Sequence, residues 1–166
     1  MKPVSNASVL IGLSSIGMLG LLQKRFPDGI LIPSAVYREV VDQGKERTGA
    51  SEVAKSKWIE VRKVEDQKLV ALLRADLDEG EAEAIALAYQ TAARVILLDE
   101  RDARRISQRM KFRVLGTIGV LIWAKKVGEL ETLTKYLEEL QSRGNFRFSK
   151  ILFKRALMEV GEPYKL

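Results

Sequence analysis

The chain has 166 residues, 46% of them apolar and 30% charged, and contains neither cysteine nor histidine. That is enough to bury the core of one ordinary domain. The missing residue types exclude disulfide scaffolds, thiolate zinc sites, cysteine nucleophiles and every histidine-dependent triad. Chemistry must therefore come from carboxylates, hydroxyls, Lys and Arg, and the lack of thiols suits a reducing cytoplasm. A net charge of +6 fits an anionic partner such as nucleic acid or a membrane surface, although a merely basic domain satisfies the same number.

Apolar runs alternate with helical patterns along the chain, with no low-complexity linker or internal repeat. That alternation predicts βαβ units and a mainly parallel sheet. A charge-free stretch runs from Pro3 to Leu22, preceded by Lys2 and interrupted by Asn6, Ser8, Ser14, Ser15 and glycines. It falls short of the roughly 20 solidly apolar residues that a membrane span requires. It reads as a buried strand, Pro3 to Asn6, then a helix capped by Ser8 and running to about Arg25, closed by the turn Phe26-Pro-Asp-Gly29. A strand from Gly29 to Ile32 leads into a helix opened by Pro33-Ser34 and ending near Gly44.

Residues 45–57 are polar and irregular or weakly helical, and Trp58 to Val61 is the third strand. Helices are expected over 66–74 and 79–92. The strands Arg94 to Leu98 and Arg113 to Leu115 flank a helix over 101–110, and further helices follow at 117–126, 130–142 and Ser149 to Val160. One domain over 1–166 is expected, with 130–166 a helical extension packed on the core.

Spacing at about 100° per residue puts Glu81 on one helical face with Ala84, Ile85, Ala88 and Ala92, while Glu83 lies opposite with Gln90 and faces water. An acid on an apolar face must neutralise, pair or bind a metal. The alternative is a carboxylate stabilised by the free N–H groups at the helix start. The preceding helix sets Glu39 beside Val36 and Val40 with Arg38 pointing away; taken alone, Glu39 reads as a helix-edge ion pair. The apolar run Val95 to Leu98 stops at Asp99 and Glu100, and Asn6 follows the first strand in the same way. Ligands bind at the carboxyl ends of strands in open parallel sheets, so these positions are candidates for a site, with a turn or cap role as the alternative for each.

The helix after Asp99 carries Arg101, Arg104, Arg105 and Arg109, of which Arg101, Arg105 and Arg109 recur one turn apart as a stripe able to follow a phosphate backbone. A solvated helix face fits the same pattern. The cluster Arg143, Arg147, Lys150, Lys154 and Arg155 reads as solvated surface. Phe146, Phe148 and Phe153 read as residues docking a terminal helix rather than as base-stacking groups. Gly116 and Gly119 match neither a Walker nor a dinucleotide loop, and read as turn and close-packing positions.

Five ordered segments resemble the motifs of the PIN-domain family: Val4-Ser-Asn-Ala-Ser-Val-Leu-Ile11, Ile32-Pro-Ser-Ala-Val-Tyr-Arg-Glu-Val40, Gly80-Glu-Ala-Glu-Ala-Ile-Ala-Leu-Ala88, Leu97-Leu-Asp-Glu100 and Gly116-Thr-Ile-Gly-Val120. The resemblance extends over about residues 3–130 and is nearest to a PIN-like branch with Asn at the first acidic position. It implies a three-layer αβα sandwich around a mainly parallel sheet of about five strands. It also implies endonucleolytic RNA cleavage dependent on Mg²⁺ or Mn²⁺, as in VapC-like toxins.

Carried over, the family's acids fall on Asn6, Glu39, Glu81 and Asp99, with Glu100 the alternate for the last. Hard oxygen ligands suit these ions, but Asn6 supplies a neutral oxygen where the pattern has a carboxylate, which lowers metal affinity. The family also implies RNA as partner, an antitoxin-like protein and a homodimer, with no membrane. Competing readings are a PIN-like domain that binds RNA or protein without cutting, and an unrelated nucleotide-binding doubly wound domain.

Overall fold

Five short apolar runs become strands: β1 (Val4–Ser5), β2 (Ile30–Pro33), β3 (Ile59–Arg62), β4 (Val95–Leu97) and β5 (Arg113–Leu115). The structure, a computed structural model, describes residues 1–44, 47 and 49–164. The strands form one sheet in the order β3-β2-β1-β4-β5, every pair parallel, with Val4 opposite both Leu31 and Ile96 and with Leu97 opposite Leu115. Ten α-helices and one π-helical turn are seen among the described residues. On one face of the sheet lie α1 (Ala7–Ser15), α2 (Gly20–Arg25), α4 (Ala50–Lys55), α8 (Thr117–Lys126), α9 (Leu133–Ser142) and α10 (Lys150–Glu159). The other face carries α5 (Gln67–Leu73), α6 (Glu79–Gln90) and α7 (Arg101–Arg109). This is the expected αβα sandwich, and among the described residues no helix is long and apolar enough to cross a membrane.

Side chains of successive strand residues point to opposite faces, so the buried strands feed two cores. Ile30, Ile32 and Leu97 join the core under α1, α8 and α9, whereas Leu31, Ile96 and Leu98 join the one under α6. The chain moves outward from β1 through β2 to β3, then returns to place β4 on the other side of β1. The direction of winding therefore reverses between β1 and β4. A crevice opens at such a reversal, at the carboxyl ends of the strands.

Three local expectations are corrected. The first helix starts after Asn6, which holds the N-cap position in place of Ser8 without a side-chain capping bond, and it stops at Ser15. Gly17, at φ +70°, closes it: the Met18 N–H donates to the Leu13 carbonyl and the Gly17 N–H to that of Ser14, a Schellman arrangement that few other residues could adopt. The second helix opens as expected after Pro33, as α3 (Ser34–Tyr37), but continues as a π-helical turn, Arg38–Asp42. Within that wider turn Glu39 is exposed at a rim, while Val36 and Val40 are buried as expected. Finally, α6 ends at Gln90 because Ala92 takes φ +53°, so Ala92 leaves the Glu81 face and is exposed. In the stretch 45–57, α4 forms, while Lys45, Glu46 and Thr48 lie outside the described residues.

At the far end, Leu133, Leu137, Leu140, Ala156 and Leu157 join the core beneath α8. Glu162 ties this region together by accepting from the Leu133 and Thr134 amides and the Thr134 hydroxyl. Although burial by itself pushes the Glu162 carboxyl up, these bonds and the nearby Lys125 charge outweigh it and hold the group below the ordinary glutamate value.

Candidate functional site

The crevice between β1 and β4 is a cleft of about 490 Å³ whose lining includes Asn6, Ser8, Glu39, Arg47, Asp78, Glu81 and Glu100. Asn6 reaches it because β1 ends at Ser5, where the Asn6 N–H still bonds the Leu97 carbonyl of the neighbouring strand. Its side chain caps no helix, and the residue is only 6% exposed. Gly80 lies beside it: a Cβ there would stand 3.4 Å from Asn6 Oδ1 and 3.7 Å from Asp78 Oδ1, ordinary contact distances. The Ser8 hydroxyl, also at the cleft, is buried with no hydrogen-bond partner among the described residues.

Glu81 comes to the cleft on the first turn of α6, held by a capping box. Its N–H donates to Asp78 Oδ1 at 2.8 Å, and its Oε1 accepts from the Asp78 N–H at 3.1 Å. The helix-start alternative weighed for Glu81 is thus realised with one of its oxygens, while the residue is also 6% exposed on the buried face. Burial is the main cause that pushes its carboxyl up to about 7; the Asp78 amide opposes this, and the charges of Asp78 and Glu100 add to it. Glu39 at the rim is also raised, first by desolvation against the cleft wall and then by Asp78, with Arg47 opposing.

The two acids that follow β4 part company. Asp99 turns toward α8, accepting the Thr117 N–H on Oδ1 and the Thr117 hydroxyl on Oδ2, both at 2.7 Å. Gly116, which precedes α8, has no side chain to cap it, and Asp99 does so from another element. Glu100 turns into the cleft beside Asn6, Glu39 and Glu81 while its Oε2 caps α7 through the Ala103 N–H at 2.9 Å. Asn6, Glu39, Glu81 and Glu100 are therefore brought together, and Asp99 stands one residue outside their cleft.

Among the described residues no three acidic side chains converge, as they stand, on one point able to hold a metal ion. The donor chemistry nonetheless fits a hard divalent cation. The cleft offers carboxylates, an amide oxygen and an unpaired hydroxyl, and two of the carboxyls are raised in part by like charge, which a cation would reverse. Glu81 and Glu100 each keep one oxygen free of the helix caps.

Of the arginines, Arg101, Arg105 and Arg109 are exposed along α7, with Arg105 paired to Asp102 at 3.3 Å. Arg104 is half-buried and donates to the Leu98 carbonyl at 3.2 Å. Glu83, expected to face water, instead accepts the Ala35 N–H at 3.1 Å and so caps α3, because α3 covers that side of α6. Gln90 likewise bonds the backbone of Lys63 and Glu65.

Sequence reasoning passed over Asp78, Thr117 and Arg47. The Asp78-x-x-Glu81 spacing is itself a capping-box signature that would have found Asp78. Nothing local marks Thr117 or Arg47 as neighbours of these acids.

No curated protein matches the chain. Residues 2–162 match the family model of DUF3368, a PIN domain. PIN domains are in general divalent-metal-dependent proteins of nuclease type, in keeping with an acidic cleft at the strand ends. By this match over nearly its whole length, the chain belongs to the PIN-domain family.

Proposed function

We propose that the protein is a metal-dependent endoribonuclease of VapC-like type whose centre is the β1/β4 cleft. The observation that carries this reading is the meeting of Glu39, Glu81 and Glu100 with the Asn6 amide at the carboxyl end of the sheet. These residues would hold Mg²⁺ or Mn²⁺ through oxygen alone. When bound, such an ion supplies charge neutralisation at the phosphodiester and activation of the attacking water. Glu81 and Glu100 are oriented for this by their helix caps, which fix one oxygen of each and present the other. Asp99 acts as a positioning residue, holding the start of α8 against the end of β4 through Thr117. Arg101, Arg104, Arg105 and Arg109 on α7 supply positive charge along the path of the RNA backbone.

The test is cleavage of labelled single-stranded RNA in Mg²⁺, Mn²⁺ or EDTA, with a Glu81→Gln, Glu100→Gln protein purified identically. Cutting that needs the metal and disappears in the variant is the expected result; equal traces in both samples would mean a contaminant and sink the nuclease reading. The toxin role predicts growth arrest on expression, relieved by the same pair of substitutions.

Asn6 favours a second reading, a domain that binds RNA without cutting it, since a neutral amide replaces a carboxylate in the ligand set. Asn6→Asp separates the two. It should raise Mn²⁺ affinity and cleavage together if the centre is active but weakened, and should leave cleavage absent if the centre only binds.

A further inference from the structure

Asp99 and Glu100 face two different hollows at the same end of the sheet. Beside the acidic cleft on the Glu100 side, Asp99 lines a second cavity of about 740 Å³. Its wall carries Arg101, Arg104 and Arg105 from α7 and Arg147 from the segment joining α9 to α10. Asp99 is the one carboxylate among its lining residues, and both of its oxygens are taken by Thr117. The rest of the wall is largely apolar, including Ile118, Ile122 and Phe148.

The segment that carries Arg147 is anchored. The Phe146 N–H bonds the Leu140 carbonyl, and the Phe146 ring lies so close to α1 that a Cβ on Gly12 would meet it at 2.7 Å. Between two half-buried phenylalanines, Arg147 is left exposed. Phe148 in turn stacks on Phe153 with ring centroids 5.8 Å apart, so a row of aromatic rings begins at the cavity wall.

We propose that this cavity is a subsite for unpaired nucleotides of the strand whose phosphodiester lies in the acidic cleft, an inference that rests on the nuclease reading of that cleft. A flat base fits an apolar wall with an aromatic edge, and the phosphates on either side of it fit the arginines. A duplex keeps its bases paired inward and presents mainly sugar and phosphate, so it satisfies the arginines and leaves the apolar wall empty. An acidic peptide leaves that wall unfilled in the same way. Arg147, Phe146 and Phe148, which read from the sequence as surface and docking residues, thus gain a role in choosing single strands.

The experiment is binding in EDTA, followed by fluorescence anisotropy, of a labelled single-stranded RNA, of the same RNA annealed to its complement, and of a labelled oligoglutamate peptide. The single strand should bind about tenfold tighter than the duplex, and Phe148→Leu should lower single-strand affinity about tenfold while leaving duplex binding unchanged. Phe148→Tyr, which keeps a stacking ring, should restore it, and thermal melts of each variant distinguish lost stacking from lost folding. Arg147→Ala should make the salt dependence of binding shallower by about one counterion, whereas Arg94→Ala, at the opposite end of the sheet, should change nothing. Equal binding of single strand and duplex, indifference to Phe148→Leu, or peptide binding in preference to RNA would overturn the proposal. No metal is present and no cutting is read, so single-strand binding without nuclease activity would sink the reading of the cleft alone. In the separate Mn²⁺ cleavage assay, cutting indifferent to Phe148→Leu would sink the subsite alone.

Discussion

Asp99 and Thr117, eighteen positions apart in the chain, are joined by two hydrogen bonds of 2.7 Å, one from the backbone N–H and one from the hydroxyl. The pair closes the seam between the end of β4 and the start of α8. Its neighbour Glu100 faces the other way, into the cleft.

Substitutions at the two acids should therefore separate by what they damage. Asp99→Asn replaces one acceptor by a donor facing Thr117 and should cost about 1–3 kcal/mol of stability, read as a lower urea midpoint, with Thr117→Val producing a similar loss. Glu100→Gln keeps an oxygen for the Ala103 amide and should leave the midpoint nearly unchanged, while weakening the Mn²⁺-induced rise in Tm. If Asp99→Asn abolished the Mn²⁺ response with the midpoint intact, Asp99 rather than Glu100 would be the ligand.

Glu81 ties stability to pH. Its folded value, about 7, lies above the ordinary 4.5, so the neutral acid is favoured in the folded state. Its contribution is intact below about pH 4.5, declines as the pH rises through about 7, and stays lost above that. Glu81→Gln retains the capping acceptor for the Asp78 N–H and cannot ionise. In EDTA at pH 8 the variant should be more stable than the parent by about 1–3 kcal/mol, and the difference should vanish near pH 4. Mn²⁺ should reverse the order at pH 8 by stabilising the ionised parent. Parallel pH profiles for the two proteins would rule this account out.

Gly12 and Phe146 form a tight contact across the molecule. The Cβ introduced by Gly12→Ala would meet two ring carbons of Phe146 at 2.7 Å and the Thr117 methyl at 3.4 Å. Overpacking of this kind costs about 1–3 kcal/mol, against about 1 kcal/mol gained from the better helix residue. A net loss in Tm is expected, and Phe146→Leu added to Gly12→Ala should recover part of it, a coupling that a double-mutant cycle measures. Additive effects would show that the ring moves aside freely.

All five strands were legible along the chain because buried parallel strands are short unbroken apolar runs, and the helices between them carry their own periodicity. The acids at strand ends and on inward helix faces could be placed for the same reason: a carboxylate breaks an apolar pattern, and Glu81 did so visibly. Where the expectation failed, the deciding interaction lay outside the local segment. Glu83 was read as solvent-facing because its helix alone presents it that way, yet the N-terminus of α3 covers it and takes its oxygen. Glu39 is the local exception: it lies exposed in Arg38–Asp42, which winds as a π-turn that no 3.6-residue count anticipates.

Asp99 and Glu100 are adjacent acids of similar chemistry, and nothing in their spacing could say which one enters the cleft. That choice belongs to Thr117, distant in the chain, whose amide and hydroxyl bind both oxygens of Asp99. Local pattern thus determined the mainly parallel sheet and the group of residues from which a site could be built, while the three-layer arrangement followed from the resemblance to the PIN-domain family. Which oxygens remain free in the cleft, and that the loop with Arg147 and Phe148 stands beside it, depended on hydrogen bonds and packing between segments that meet only once the chain has folded.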